Sequence, residues 1–326
     1  MIPTLCFSKT FLLFRKSAGF VGQDAPQTVF ENVISTYYLP KDSNGGKNIA
    51  FWVGNDEPGN LSARVPRFDY RPMDDRGVVC NWDELERIWK HTFFNELRVD
   101  PKDHPVLLTE PPLNPKANRE RMARILLETL GVPAIYVGTT NLLALFASGR
   151  TTGCVVDSGY SATHIVPIYE GHVLAHAMVS MNLGGRHLTD WFQMLISMRE
   201  RVPPTSLLSK KHEREVLCDM KENLCFVSMH FEQDVTTSNE SSVLEKPYEL
   251  PDGNFLTLGN ERFLCPEALF QPNLMGLEED SIAASIVKAI ETCGDDVNLL
   301  KTMYTNIVLS GGNTNFPGLR ERLSKE

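Results

Sequence analysis

Residues 153–171, GCVVDSGYSATHIVPIYEG, constrain the fold of this chain more than any other segment. The apolar run 154–156 predicts a buried strand, and a second strand follows through 165–168. Asp157 opens the tight polar turn between them. Strands that deliver Asp, Ser and Gly into a turn often bind phosphate and metal, because the carboxylate faces a hydrated cation and the turn N–H groups face phosphate oxygens. The segment therefore predicts a phosphate-and-metal turn.

Two residues in the middle of this turn do not fit that prediction. Tyr160 and Ser161 are bulkier than such a loop usually tolerates, since glycine lets the backbone approach a phosphate most closely. The hairpin therefore indicates descent from a phosphate-binding protein and the loss of part of its site.

Length and composition narrow the class of protein. A chain of 326 residues predicts about two domains, and 42% hydrophobic with 22% charged residues is typical of an ordinary soluble protein. The formal net charge of −9 argues against a general nucleic-acid binder. No apolar run reaches the roughly 18 residues that span a bilayer. The seven cysteines are dispersed without a C-x-x-C pair, which favours reduced thiols and argues against zinc.

The local pattern alternates strands with helices, which indicates an α/β fold. Residues 1–19 are apolar and basic, which allows a targeting peptide, but we favour a short strand leading into the domain. Asn81 is typical of a helix N-cap, so we predict a helix that begins directly after it. Further predicted helices are at about 115–130, 141–148, 188–196 and 210–225, and predicted strands are at 48–54, 105–109, 134–137 and 306–309, with a hairpin at 248–256 and a solvated loop at 40–47.

Several long strings together resemble the actin family. They are NWDELERIW at 81–89, HTFFNELRVDPKDHPVLLTEPPLNPKANRERM at 91–122, ASGRTTGCVVDSG at 147–159, PIYEGHVLAHA at 167–177, ERFLCPEALFQP at 261–272 and VLSGGNTNFPG at 308–318. The matches run from about residue 18 to residue 323.

The resemblance implies a two-domain nucleotide-binding fold of the actin and hexokinase type, with a central cleft. Residues 1–31 and 73–147 would form part of subdomain 1, and residues 32–72 would form subdomain 2 with a flexible loop. Residues 148–183 and 279–326 would form subdomain 3, and residues 184–278 would form subdomain 4. Because the sequence stops at Glu326, we expect this fold to be incomplete at its C-terminal end.

The resemblance also implies a site for ATP or ADP with Mg²⁺ or Ca²⁺. Asp157 would hold the metal through water, and His164 would be the catalytic residue. Phe316 stands where the family usually has tyrosine. The implied cofactor-binding residues are Asp157, Ser158, Gly159, Gly185, Lys221, Glu222, Gly311, Gly312 and Phe316.

Several positions depart from the family pattern. Residues 10–14, TFLLF, replace the first phosphate loop, Asp-Asn-Gly-Ser-Gly, and contain neither glycine nor carboxylate. Thr140 stands where the family has the glutamine that orients the attacking water. The other departures are Ser17 for a phosphate-contacting lysine, Tyr160 and Ser161 for an aspartate and a glycine of the second loop, and Cys218 for an arginine lining the nucleoside cleft.

Simpler structural roles remain open for these candidates. Asp157 alone also suits a β-turn cap, and His164 alone suits a packed core position. Lys221 and Glu222 alone suit the solvated face of a helix, so it is the resemblance that makes them cleft candidates. The pair Gly311 and Gly312 has the fewest structural explanations.

The departures lead us to expect an actin-like structural protein that acts through protein–protein assembly, not an efficient ATPase. Its expected partners are actin or actin-like subunits and actin-binding proteins, without direct nucleic-acid or membrane contact. We expect it in the cytoplasm and cytoskeleton, with the nucleus as an alternative. Two other interpretations stay open: an ATP-binding, slowly hydrolysing filament subunit, and a truncated or alternatively initiated product of an actin-like gene.

Overall fold

The computed structural model describes residues 5–8, 15–39, 48–54, 67–70, 72–73, 77–200 and 210–326. It divides the chain into two compact units, Met1–Ala147 and Ser148–Glu326. The expected solvated loop at 40–47 and the replaced phosphate loop at 10–14 lie outside the described residues.

The main sheet of the first unit has the strand order β3-β2-β1-β7-β8. Strands β1, β2 and β3 are antiparallel neighbours, and β7 and β8 continue the sheet in parallel from β1. A smaller sheet has the order β5-β4-β6. The strands are β1 Leu5–Ser8, β2 Arg15–Phe20, β3 Thr28–Glu31, β4 Ile34–Leu39, β5 Asn48–Val53, β6 Arg67–Tyr70, β7 Val106–Glu110 and β8 Ile135–Thr139.

The helices of the first unit pack on its main sheet around Leu85, Trp89, Phe93 and Met122, all buried. They are α1 Trp82–His91, α2 Lys116–Arg124 and α3 Thr140–Ala147, and the first two continue as π-helical segments, Thr92–Leu97 and Ile125–Thr129. The Asn81 side chain accepts a hydrogen bond from the Glu84 N–H at 3.3 Å, which confirms the predicted cap.

The main sheet of the second unit has the order β11-β10-β9-β15, with β12 beside β10. Strands β9 and β10 form the hairpin predicted from the sequence, and β15 lies parallel to β9. The strands are β9 Gly153–Ser158, β10 Thr163–Tyr169, β11 His172–Val173, β12 Val179–Met181, β13 Lys246–Glu249, β14 Phe255–Leu258 and β15 Ile307–Ser310.

The helices of the second unit enclose one large apolar core that includes Phe192, Met220, Leu269 and Ile290. They are α4 Gly185–Glu200, α5 Lys210–Leu224, α6 Phe231–Glu240, α7 Glu261–Glu267, α8 Ile282–Glu291, α9 Val297–Thr305 and α10 Leu319–Lys325. Periodicity predicted α4 and α5 correctly, whereas α6 to α9 were not predicted.

The two main sheets repeat one arrangement. In each, an antiparallel hairpin (β1 with β2, or β9 with β10) receives a parallel strand (β7 or β15) beside its first strand. The implied subdomain boundaries and the central cleft stay predictions.

Among the helices of the described segments, none combines the length and apolar character needed to cross a bilayer.

Replacing Asn81 with alanine should lower the free energy of unfolding by about 1 kcal/mol, because the Glu84 N–H loses its acceptor at the start of α1. Urea denaturation measures the change. Asn95→Ala is the control, because this residue is exposed and its side chain has no hydrogen bond to a described residue. It should change stability by no more than about 0.5 kcal/mol. Equal losses in the two variants would contradict the role of the cap.

Candidate functional site

The turn between β9 and β10 is closed by its own hydrogen bonds. The Gly159 N–H donates to the Ala162 carbonyl at 3.1 Å. Below it, the buried hydroxyls of Ser158 and Thr163 lie 2.8 Å apart, and Thr163 donates to the Leu183 carbonyl at 2.7 Å. Buried hydroxyls keep their partners because an unsatisfied one costs about 1–3 kcal/mol. Ser158 therefore has a structural role beneath the turn.

The start of α4 packs directly on this turn. The Gly185 N–H donates to the Gly159 carbonyl at 2.9 Å, and the Arg186 N–H donates to the Tyr160 carbonyl at 2.7 Å. A Cβ at Gly184 would lie 2.5 Å from the Ser161 carbonyl carbon, so this close approach requires glycine. The first N–H groups of α4, which have no acceptor within the helix, are thus capped by the turn.

The glycine turn after β15 meets the same hairpin. Ser310 is in register with Asp157, and Gly311 has a φ of 89°. A Cβ on Gly311 would overlap the Ser158 carbonyl oxygen and lie 2.8 Å from Asp157 Oδ1. In contrast, no atom of the described residues beyond its chain neighbours lies within 4 Å of the position that a Cβ on Gly312 would occupy. Asp157 and Gly311 are therefore neighbours, and Gly312 follows directly in the chain.

Asn313 fastens the glycine turn to the hairpin, and the sequence reasoning missed it. Its Nδ2 donates to Ser158 Oγ at 3.1 Å and to the Gly159 carbonyl at 2.9 Å. Its position directly after two glycines was the only available signal.

Lys221 brings a buried positive charge to the same place. Its side chain is 4% exposed, and Nζ donates to the Gly185 carbonyl at 3.0 Å and to Thr189 Oγ1 at 2.9 Å. Both acceptors are neutral, and the described residues include no carboxylate in an ion pair with this ammonium group. A buried charge is costly without a counter-charge. The lysine thus suits an anionic or strongly polar ligand.

Main-chain donors support the same fit. Of the described residues, none provides a hydrogen-bond acceptor for the N–H of Ser161 or of Gly312. Turn N–H groups in this arrangement are suitable donors for phosphate oxygens. The residues present therefore fit a phosphate-bearing ligand on the side of Gly312 and Lys221.

Tyr160 connects the turn to α5 through its side chain. Its hydroxyl accepts a hydrogen bond from Arg214 Nε at 3.3 Å, and the same guanidinium donates to Asp190 at 2.6 Å and to the Arg186 carbonyl at 3.4 Å. Burial opposes the charge on Arg214, but the bonds to Asp190 and Tyr160 outweigh burial and raise the pKa of the guanidinium. Asp157 is the only carboxylate within the described turn 157–162.

His164 lies opposite Asp157 in the β9–β10 register. Its Nδ1 is 3.1 Å from Ser180 Oγ, and burial lowers the pKa of the imidazole. The ring is therefore neutral at physiological pH. Thr140, at the position of the implied glutamine, begins α3 in the first unit, where its buried hydroxyl donates to Asn141 Oδ1 at 3.2 Å.

The remaining implied site residues, and two of the positions that depart from the family pattern, have the following locations. Phe316 is buried in the core of the second unit, Glu222 is exposed on α5, and Ser17 is buried in β2. Cys218 is half-buried, with its Sγ 3.7 Å from Thr189 Oγ1. No group of three or more metal-ligating side chains occurs among the described residues.

The sheets and helices define an α/β protein whose second unit is built around a glycine-lined turn. A family model described as Actin matches residues 15–326, and the chain belongs to the actin family. Members of this family typically bind ATP or ADP with a divalent cation and are typically cytoplasmic or cytoskeletal proteins.

Gly311→Ala should lower the free energy of unfolding by more than about 2 kcal/mol, because a Cβ there meets the Ser158 carbonyl in a left-handed backbone. Gly312→Ala is the matched neighbour and should cost less than about 1 kcal/mol, since its Cβ would enter open space. Thermal and urea denaturation of both variants measure the difference. A larger loss for Gly312→Ala would contradict this packing.

Protonation of His164 should destabilise the fold. Because the folded-state pKa is below the ordinary value of 6.5, the unfolded chain binds the proton more readily as the pH falls below 6.5. Stability should therefore decline as the pH falls from 6.5 through the folded pKa. His164→Gln should weaken this decline, whereas His176→Gln, at an exposed position, should leave it unchanged. An NMR titration midpoint for His164 at or above 6.5 would contradict the burial argument.

Proposed function

We propose that this chain is an actin-like structural protein that acts through protein–protein assembly, with a degraded ATP site and weak or absent hydrolysis. Membership of the actin family supports the structural role in general. The degraded site is argued from the residues of the second unit.

Tyr160 is the observation that carries the proposal. Resemblance to the family implies a carboxylate at this position, and a hydrated Mg²⁺ or Ca²⁺ depends on negatively charged oxygen ligands around it. The side chain at 160 has a phenol oxygen in place of a carboxylate, and this oxygen accepts a hydrogen bond from Arg214. A cation next to Asp157 would therefore gain attraction from one turn carboxylate where the family pattern has two.

The groups expected to handle the attacking water are also altered. Thr140 is too short to reproduce the reach of glutamine, and its hydroxyl is engaged with Asn141. His164 is hydrogen-bonded to Ser180 and is neutral. Phosphoryl transfer depends almost entirely on positioning and charge stabilisation, so these losses predict weak or absent hydrolysis.

The segment that replaces the first phosphate loop also lacks groups that would bind phosphate. Residues 10–14, TFLLF, have no glycine to approach a phosphate, and Ser17 replaces the lysine expected to neutralise one. The second unit retains Lys221 and the Gly312 N–H, for which no described residue provides an acceptor. We infer that ATP or ADP, with Mg²⁺ or Ca²⁺, binds weakly at most.

Actin or actin-like subunits and actin-binding proteins are the proposed partners, and the cytoplasm and cytoskeleton the proposed location. Co-sedimentation with actin filaments tests this association directly. We expect the chain to pellet with filaments to the same extent with and without Mg²⁺-ATP. Absence from the pellet at every concentration would contradict assembly with actin.

Equilibrium dialysis with Mg²⁺-ATP, combined with a phosphate-release assay, tests the degraded site. We expect no saturable binding at micromolar ATP and no phosphate release above the buffer rate. If ATP binds at higher concentrations, its affinity should be at least about tenfold lower in Lys221→Met, because the buried ammonium is lost. Lys288→Met, which removes an exposed lysine paired with Asp280, is the control. Micromolar or tighter affinity with measurable phosphate release would overturn the proposal.

The alternative function is an ATP-binding, slowly hydrolysing filament subunit, in which Ser8 or residues 9–10 replace part of the lost loop. The retained Lys221 and Gly312 favour it. Sedimentation of the chain alone with Mg²⁺-ATP separates the two functions. A polymer that forms only with ATP would support the alternative, and the absence of such a polymer at any concentration would count against it.

A further inference from the structure

Tyr160 is held at both its main chain and the tip of its side chain. Its carbonyl accepts from the Arg186 N–H at 2.7 Å, at the start of α4. Its hydroxyl accepts from Arg214 Nε at 3.3 Å, on α5. One residue of the turn is therefore connected to two different helices.

Arg214 completes a closed set of contacts. Its second terminal nitrogen donates to the Arg186 carbonyl at 3.4 Å, so Tyr160, Arg186 and Arg214 are linked pairwise. Asp190, on α4, accepts from the remaining nitrogen at 2.6 Å and fixes the direction of the guanidinium. A charged, planar donor held in this way bonds more strongly than a neutral one.

We propose that Tyr160 is a positioning residue that holds the turn 159–162 against α4 and α5 in the absence of cation and nucleotide. This role of Tyr160 rests on the proposed function in one respect, namely that the turn 159–162 corresponds to the phosphate-binding turn. A cation-binding loop brings its carboxylates together at the cost of their mutual repulsion, and the cation offsets that cost. Here the tyrosine hydroxyl and the guanidinium attract each other without a ligand.

The turn 159–162 should therefore keep its conformation whether or not a cation and a nucleotide are bound. Metal chelation and nucleotide removal should leave it unchanged, whereas loss of the Tyr160 hydroxyl should loosen it. The replacement of the carboxylate thus has a structural gain that accompanies the loss of cation binding.

Hydrogen–deuterium exchange of the full chain in EDTA, without nucleotide, tests this role. In Tyr160→Phe, peptides that contain the hydrogen-bonded N–H groups of Gly159 and Arg186 should exchange about tenfold faster, since a hydrogen bond to a charged group is lost. Tyr248→Phe is the matched control, because it also removes a hydroxyl bonded to a charged residue of α5, Asp219, at 2.6 Å. It should leave exchange in the turn unchanged.

A double variant shows whether the effect passes through Arg214. Tyr160→Phe combined with Arg214→Gln should exchange no faster in the turn than Arg214→Gln alone, since both changes break the same bond. The proposal is overturned if Tyr160→Phe changes exchange less than twofold, if the two effects multiply, or if adding Mg²⁺-ATP slows exchange in the unmodified chain. Tight ATP binding without such slowing would overturn the proposed function and leave this role of Tyr160 intact.

Discussion

The second unit depends on two hydrogen bonds between the hairpin turn and the start of α4. The carbonyls of Gly159 and Tyr160 accept the N–H groups of Gly185 and Arg186, which have no acceptor inside the helix. These bonds fix the position of Gly185, whose carbonyl then receives Lys221. The hairpin, the helix and the buried lysine therefore form one arrangement, in which the positive end of α4 interacts with main-chain carbonyls.

This arrangement lets the fold persist when the side chains expected to touch a nucleotide change. The contacts that hold the turn are made by main-chain groups and by buried residues such as Ser158, Thr163 and Gly184. The departures from the family pattern fall on side chains expected to touch the ligand, among them Tyr160 and Thr140. Tyr160 belongs to both sets, because its hydroxyl also bonds Arg214; its presence therefore alters binding chemistry while the turn keeps its protein contacts.

The sequence predicted elements with strong local signals and failed where the determinant is distant. The β9–β10 hairpin, the cap at Asn81 and the amphipathic α4 and α5 follow from patterns within one segment. Asn313 and Arg214 are different, since their partners lie 154 and 54 positions away along the chain. The exposure of two neighbouring residues of α5 also could not be predicted from the local sequence. The pattern suggested a solvated face, but tertiary packing buries Lys221 and leaves Glu222 exposed.

The central claim is that the turn after β9 is held by protein contacts and no longer binds Mg²⁺-ATP as the family pattern implies. A crystal structure of the chain grown with millimolar Mg²⁺ and ATP tests it most directly. The account predicts no ordered triphosphate with cation between Asp157 and Gly312, and an intact hydrogen bond between Tyr160 and Arg214. An ordered Mg²⁺-ATP at Asp157, with the Tyr160 side chain displaced from Arg214, would contradict it.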